Sequence, residues 1–258
     1  MSRLRARCPE CRTFTAVAIG PGYECHACGR EFGAGLVRVP QAWGEGGESI
    51  AEAARLPLPF PEAAVVEEET LDEQTLAVAI DLPERPLVLG GCCCAHIGAV
   101  EALAARNGRI ALLWLDAHGD LNTVESSPTG NLWATPFRVI LESGAVDPQD
   151  AILLGARSLD PPEREFIAAI GLRTDASELE QTLEGTAGVY VALDADAFEP
   201  GELQPFMPEP DGLTLDEVDQ LLTDVRARST ILGAGFTALA AEPSNVEPLT
   251  RLALSLGL

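Results

Sequence analysis

Five continuous apolar runs separated by amphipathic stretches set the tightest constraint on how this chain can fold. Pro86–Leu89 ends at Gly90-Gly91, and Ile110–Leu115, Ala151–Leu154, Val189–Leu193 and Thr230–Leu239 follow at a regular beat. Helical stretches at Ile97–Ala105, Leu132–Glu142, Pro161–Ile170, Thr214–Arg228 and Val246–Leu256 fill the intervals. Strands apolar along their whole length are buried on both faces, so the pattern predicts a parallel sheet covered by helices on each side, a three-layer α/β/α fold. Ligands of such sheets bind at the carboxyl ends of the strands. No GxGxxG or GxxxxGK[ST] follows a strand, so nucleotide phosphates have no evident cradle.

Two further segments precede this rhythm. Cys8-Pro-Glu-Cys11 and Cys25-His-Ala-Cys28 are C-x-x-C knuckles thirteen residues apart, with the turn signal Gly20-Pro21-Gly22 between them. The spacing predicts a hairpin that gathers four thiolates around one structural Zn²⁺, and residues 1–32 resemble a zinc ribbon. A segment this short cannot build its own core, so the metal supplies most of its folding free energy. With four cysteines available, His26 is expected to face solvent as a bystander. Residues 33–75, with a Gly-rich start, Pro57, Pro59, Pro61 and the run Glu67-Glu68-Glu69, read as a connection with few regular elements. The main domain is then expected over residues 76–258.

Charge narrows the partners. The 17 basic residues are all arginines and face 40 acidic ones, for a net charge of -23. Such a chain is repelled by phosphate backbones and anionic lipid, which disfavours nucleic acid and membrane surfaces. The ribbon's five arginines against three glutamates are too small an excess to argue nucleic-acid binding, and docking on the main domain or a partner is an equal use. No apolar run reaches about 18 residues, and Met1–Arg7 is basic without an apolar stretch behind it, so neither membrane span nor signal peptide is expected. Seven cysteines, three of them adjacent at Cys92-Cys93-Cys94, do not form a disulfide framework and point to a reducing cytoplasm.

The chemistry lies at two strand ends. Asp116-Ala-His118-Gly-Asp120 leaves one apolar run and Asp194-Ala-Asp196 leaves another. If the strands stay extended, alternate residues share a side, which puts Asp116, His118 and Asp120 in one row and Asp194 and Asp196 in a second. Four carboxylates in one cleft repel unless cations lie between them, and two divalent ions balance them. Oxygen-rich ligation with one imidazole suits Mn²⁺, and a two-metal site can generate a hydroxide nucleophile near neutral pH.

The stretch Asp116-Ala-His118-Gly-Asp120-Leu-Asn122-Thr123, with Ser127, Gly130-Asn131-Leu132 and Asp194-Ala-Asp196, resembles the arginase/agmatinase/formiminoglutamase superfamily, the ureohydrolases, over about residues 86–258. The resemblance implies an arginase-like α/β/α domain and a binuclear manganese centre. It implies a metal-bound hydroxide attacking a guanidino or formimidoyl carbon, and a homo-oligomer. Carried over, Asp116 and Asp194 bridge both ions and fix the hydroxide, Asp120 completes one site, and His118 with Asp196 completes the other. Asn131 and Ser127 lie near the entrance for substrate polar groups.

Three positions depart from that pattern. Cys93 stands where the family has its first metal-binding histidine; it is either a softer ligand, shifting preference toward Zn²⁺ or Fe²⁺, or with Cys92 and Cys94 a small buried hydrophobe. His96 is the fallback ligand. Trp133 replaces a proton-shuttling histidine and either closes an apolar pocket or is core, while Ala134-Thr135-Pro136-Phe137-Arg138 looks more like formiminoglutamase-like members. Ala240 replaces a guanidinium-binding glutamate; Glu242, two residues on, either serves a displaced substrate or is a surface residue. The expected function is metal-dependent C–N hydrolysis of a guanidino or formimidoyl compound. A one-ion variant keeps only Asp116, His118 and Asp194 on Zn²⁺. The alternative is a non-catalytic, regulatory protein that retains a metal for stability and uses the ribbon for partner binding.

Overall fold

The computed structural model describes residues 5–6, 8, 10–11, 13–19, 22–33 and 35–258. Met1–Leu4, Arg7 and the Gly20-Pro21 turn signal lie outside the described residues.

Four short strands, β1 (Arg5–Ala6), β2 (Ala16–Ile19), β3 (Gly22–Cys25) and β4 (Glu31–Gly33), form an antiparallel sheet in sequence order. Cys8, Ala16, Tyr23 and Cys25 are its buried apolar residues, with Phe32 stacked on Tyr23 at 5.7 Å. A core of that size cannot offset the entropy of ordering the segment, as the sequence argument requires of a metal-clipped module.

The second sheet has seven strands, all parallel, in the order β6-β5-β7-β11-β10-β8-β9. They are β5 (Leu36–Val39), β6 (Glu62–Val65), β7 (Leu87–Gly90), β8 (Ala111–Leu115), β9 (Ala151–Leu154), β10 (Val189–Asp194) and β11 (Ile231–Thr237). The helices are α1 (Glu48–Ala51), α2 (Leu71–Asp81), α3 (His96–Asn107), α4 (Pro136–Ser143), α5 (Pro161–Ile170), α6 (Leu179–Leu183), α7 (Leu215–Arg228) and α8 (Val246–Ser255). Alternate strand residues feed two cores. Leu113, Val191 and Leu193 pack with residues of α6, α7 and α8, whereas Leu112, Trp114 and Ala192 pack with residues of α2, α3 and α4. This is the three-layer arrangement that the apolar runs predict, and none of the described helices is long and apolar enough to cross a membrane.

Residues 33–75 differ from the expected connection. They supply β5 and β6 to the sheet, and α2 begins at Leu71, so a domain start at residue 76 would cut that helix. Two facts hid them. β6 is an edge strand of alternating exposure, reading Glu62-Ala-Ala-Val65, and β5 carries a charged residue, Arg38. That guanidinium is buried because it donates to Glu62 at 2.6 Å and to the Leu56 carbonyl at 2.9 Å, tying the two strands together. The expected helix over Leu132–Glu142 breaks into a 3-10 turn, Leu132–Ala134, and α4, because Pro136 is placed at a first turn rather than in a helix interior.

His96 is fully buried, with Nδ1 3.0 Å from the Tyr190 hydroxyl and Nε2 3.3 Å from Thr237 Oγ1. It is thus a core residue and not among the candidate metal ligands, contrary to its fallback role. Burial depresses its pKa from 6.5 to about 3. Between those values the unfolded chain binds a proton that the native chain refuses, so stability falls as pH drops from 6.5 toward 3. Each pH unit in that window costs about 1.4 kcal/mol. Denaturant titrations in that range are expected to show the native chain losing stability relative to His96→Gln with about this slope as pH falls.

Candidate metal centre

Four adjacent strands of the sheet, β7, β11, β10 and β8, converge their carboxyl ends on one cavity of about 270 Å³. β7 delivers Cys93, β8 delivers Asp116, His118 and Asp120, β10 delivers Asp194 and Asp196, and β11 contributes Ala238 to the lining. Ligand atoms of Cys93, Asp116 and Asp120 lie within 4.8 Å of one another, as do those of Asp116, His118 and Asp196. The two groups share Asp116. Asp194 joins the first through its Oδ2, 3.0 Å from Cys93 Sγ.

The convergence comes from tight turns, not from extended rows. β8 ends at Leu115, and Asp116 Oδ1 then accepts from the His118 amide at 2.7 Å, folding the chain back. Asp120 has φ 52°, a left-handed conformation that aspartate tolerates better than most residues. Past β10, Asp194 accepts from the Asp196 amide at 2.9 Å to start a 3-10 turn, and Asp196 Oδ1 accepts from the Ala117 amide at 3.0 Å. Trp114 Nε1 donates to Asp116 Oδ2 at 3.1 Å. Backbone donors thus orient three carboxylates, whereas Asp120 Oδ2 is buried without a hydrogen-bond partner.

Sequence reasoning missed two further carboxylates. Glu163 accepts from the amides of Leu121 and Asp160 at 3.0 and 2.9 Å, which locks the Asp120 loop to the start of α5. A side chain on Gly119 would meet Glu163 Oε1 at 2.6 Å, so only glycine lets these segments touch. The S/T/D-x-x-E signature at Asp160–Glu163 marks this residue as a capping-box member, which points to the helix start and not to the site. Glu209 Oε1 lies 3.7 Å from His118 Nε2, while Nδ1 faces Asp196 at 2.9 Å and Asp116 at 3.6 Å. His118 therefore turns Nδ1 into the cluster with a carboxylate behind its other nitrogen, an arrangement typical of metal-binding histidines. Glu209 sits in a loop between elements, where nothing in its local sequence marks it.

The electrostatics are those of a site that needs cations. Burial and then repulsion from Asp196 lift Asp116 to about 6. Burial and carboxylate neighbours hold Asp120 and Asp194 well above the ordinary range. Cys93 is pushed up by burial and then by Asp194, Asp120 and Asp116. Burial opposes ionisation of both His118 and Asp196, but Asp116 and then Asp196 raise His118 to about 12, and the bond to His118 lowers Asp196. An imidazolium is the one cation this cluster holds, against four carboxyl groups. An orphaned carboxylate oxygen, a proton shared by thiol and carboxylate, and hard donors gathered within 4.8 Å fit divalent ions.

The remaining expectations divide. Ser127 lines the cavity beside Thr129, but Asn131 does not; its Oδ1 accepts from the Glu45 amide at 3.1 Å instead. Glu242 is exposed and outside the lining. The reason is that β11 stops at Thr237 and Ala238 turns to φ 55°, so the period-2 projection along the strand does not reach residue 242. Trp133 forms an apolar wall with Ile50, Phe206 and Met207, its ring 6.1 Å from that of Phe206. Gly44 packs so closely on Trp133 that an added Cβ would lie 2.3 Å from the ring. The stretch expected as a connection therefore builds one side of the site.

A second cluster lies in the ribbon. Cys8 and Cys28 sulfurs are 3.6 Å apart, Cys11 and Cys25 3.4 Å, and all four fall within 4.8 Å of one another without a disulfide. Tetrahedral Zn²⁺ with bonds near 2.3 Å places its sulfurs about 3.8 Å apart, close to this spacing. His26 is exposed, as expected.

Comparison with known proteins matches a family model described as the arginase family over residues 49–254. The arginase of Staphylococcus aureus (strain MRSA252) is 33% identical over 152 residues, covering 49% of this chain and 50% of that protein. The arginase of Bacillus caldovelox is 33% identical over 159 residues, covering 50% and 53%. The chain spans about half the length of the curated relatives it matches. Among solved structures, Bacillus subtilis arginase superposes with a TM-score of 0.76 at 22% identity, covering 86% of this chain and 97% of that one. The formimidoylglutamase of Bacillus subtilis gives 0.67 at 17% identity, covering 86% of each. The structural likenesses show the fold, and the family model, matching most of the chain, shows that it belongs to the arginase family.

Proposed function

We propose that the chain is a metal-dependent hydrolase that cleaves a C–N bond of a small cationic guanidino or formimidoyl compound. The observation that carries this reading is the pair of three-ligand groups sharing Asp116 at the floor of a cavity, with Asp120 Oδ2 left unpaired. Cys93, Asp120, Asp116 and Asp194 would hold one ion at the inner position, and Asp116, His118 and Asp196 would hold another at the outer one. Bound Mn²⁺ or a related divalent ion supplies Lewis acidity and a water acidic enough to attack near neutral pH. The arginases among the relatives and the formimidoylglutamase among the structural neighbours favour these two substrate classes.

The chain's own residues do the rest. Ile50, Trp133, Phe206 and Met207 exclude water along one wall, which strengthens the electrostatics inside. Ser127 and Thr129 offer hydroxyls in the lining to which substrate polar groups can hydrogen-bond. Asp160 and Glu163 add negative charge to the lining, and no arginine is among the lining residues, so a cation is the better fit. Glu209 keeps His118 Nε2 occupied and Nδ1 aimed at the carboxylates. The ribbon holds a structural Zn²⁺ on Cys8, Cys11, Cys25 and Cys28.

The non-catalytic reading draws on the three departures from the family pattern, Cys93, Trp133 and Ala240, of which Cys93 and Trp133 line the cavity and Ala240 does not. Turnover decides between the two. Chain loaded with Mn²⁺, Fe²⁺ or Zn²⁺ is expected to release urea, ammonia or formamide from a panel of guanidino and formimidoyl compounds. Asp116→Asn is expected to lose main-domain metal and to slow turnover by more than about a hundredfold. Metal uptake with no turnover on the whole panel decides for the regulatory reading, and unchanged metal content in Asp116→Asn removes the site assignment.

The ribbon has its own test. Cys25→Ser is expected to abolish hydrogen-exchange protection of β2 and β3 and the corresponding zinc equivalent, leaving β8 and β10 protected. Retained protection in β2 and β3 without metal would show that the module folds by itself.

A further inference from the structure

We infer that the two ion positions of this centre are chemically unlike: Cys93 gives the inner one a thiolate, so it takes a thiophilic ion such as Zn²⁺ or Fe²⁺, while the outer one keeps a nitrogen and oxygen set suited to Mn²⁺. This rests on the metal-dependent reading above and adds to it the identity of the ions.

Three adjacent cysteines enter this region, and the turn after β7 sends them in different directions. Cys92 Sγ accepts from the Trp43 amide at 3.5 Å, and Cys94 Sγ donates to the Leu132 carbonyl at 3.5 Å, so both face packed backbone. Cys93 Sγ alone faces the carboxylates, 3.0 Å from Asp194 Oδ2, 3.0 Å from Thr237 Oγ1 and within 4.8 Å of Asp116 and Asp120 ligand atoms. A cysteine serving as a small hydrophobe gains nothing from three carboxyl groups around its sulfur. The second observation is Asp120, only 7% exposed, whose Oδ2 has no partner although it belongs to the same group of ligands. A buried carboxylate oxygen without a donor, next to a thiol that donates to a second carboxylate, outlines a cation position with one sulfur and three carboxylates.

The outer position has no sulfur. His118 Nδ1, Asp116 and Asp196 form it, and the imidazole is more open, its side chain 28% exposed. Thiolate selects zinc and related borderline ions, whereas carboxylate and imidazole accept manganese. Loading the inner position replaces one proton: the Cys93 S–H bond that now points at Asp194 breaks, the sulfur binds the ion, and the proton leaves to solvent.

The test uses the full chain reconstituted with Co²⁺, whose bonds to thiolate absorb in the near ultraviolet while its bonds to carboxylate and imidazole do not. Five thiolates then hold cobalt, four in the ribbon, so Cys93→Ser is expected to lose about one fifth of that absorption and Cys94→Ser none of it. Titration against a competing chelator is expected to show the inner Zn²⁺ held at least about tenfold more weakly in Cys93→Ser. Cys93→His, which keeps a ligand, is expected to restore the ion count without the sulfur absorption; it decides the question if Cys93→Ser does not fold. Absorption equal to the native chain in either variant, with main-domain cobalt still bound, overturns the thiolate assignment and leaves the metal-dependent reading standing. No main-domain cobalt in the native chain overturns both.

Discussion

Buried like charge is the constraint on which the rest of this structure depends. Asp116, Asp120, Asp194 and Asp196 are each at most 7% exposed; ligand atoms of Asp116 lie within 4.8 Å of those of Asp120 in one group and of Asp196 in another, and Asp194 joins through Cys93. At that separation and an effective dielectric of about 20, each ionised pair repels by about 3–4 kcal/mol. A fold only marginally stable cannot carry several such terms without countercharge. The single cationic partner within the cluster is His118, which serves Asp196 and the nearer oxygen of Asp116. Asp120 and Asp194 are left to protonation or to metal, and Asp120 Oδ2 has not even a hydrogen bond.

The parallel sheet is what makes so costly a cluster possible. Its four central strands end at one level, and their apolar sides anchor two cores, so the turns that follow are held by packing they do not have to supply themselves. Each turn then spends backbone amides on carboxylate oxygens: His118 on Asp116, Asp196 on Asp194, Ala117 on Asp196. The carboxylates are oriented before any cation arrives, so little reorganisation is left for binding. Glu163 extends the same logic outward, fixing the Asp120 loop by two amides from a helix whose own start it caps.

What was legible in the sequence was whatever depends on local pattern. The runs ending at Leu89, Leu115, Leu154 and Leu193 are strands because continuous burial leaves continuous apolar residues, and the candidate ligands follow the first, second and fourth of them at once in the chain. β5 and β6 were hidden because their burial depends on a tertiary ion pair, Arg38 with Glu62, which sequence reads as two charges in a loop. Glu242 was misplaced for the converse reason: alternation was projected past a point where one residue, Ala238, changes the sign of φ. Asp120 reaches the cluster by the same device, so Asp116, His118 and Asp120 converge through turns and not through the extended row expected of them. Glu209 and Ile50 come to the site from loops and a distant helix, and no spacing rule links them to it.

The departures from the family pattern concern different sides of one cavity and have one physical sense. At the floor, Cys93 offers sulfur where the resemblance places a nitrogen, which would strengthen the hold on a borderline ion. At the wall, indole at Trp133 stands where the resemblance places a histidine able to exchange protons, and Ala238 adds only a methyl to the lining. A cavity of about 270 Å³ falls below the usual range for drug-sized ligands, and its polar contacts outside the ligand set are few: Ser127, Thr129, Ser158 and the Asp160–Glu163 pair. With fewer side chains to orient a substrate, more of the binding must come from the ions and the apolar wall. Such a site discriminates by size and charge more than by a hydrogen-bonding pattern, because an apolar wall rejects an isostere only weakly. The proposed substrate class fits that combination: a small cation short enough to reach the floor would lie its apolar part along Trp133 and Phe206.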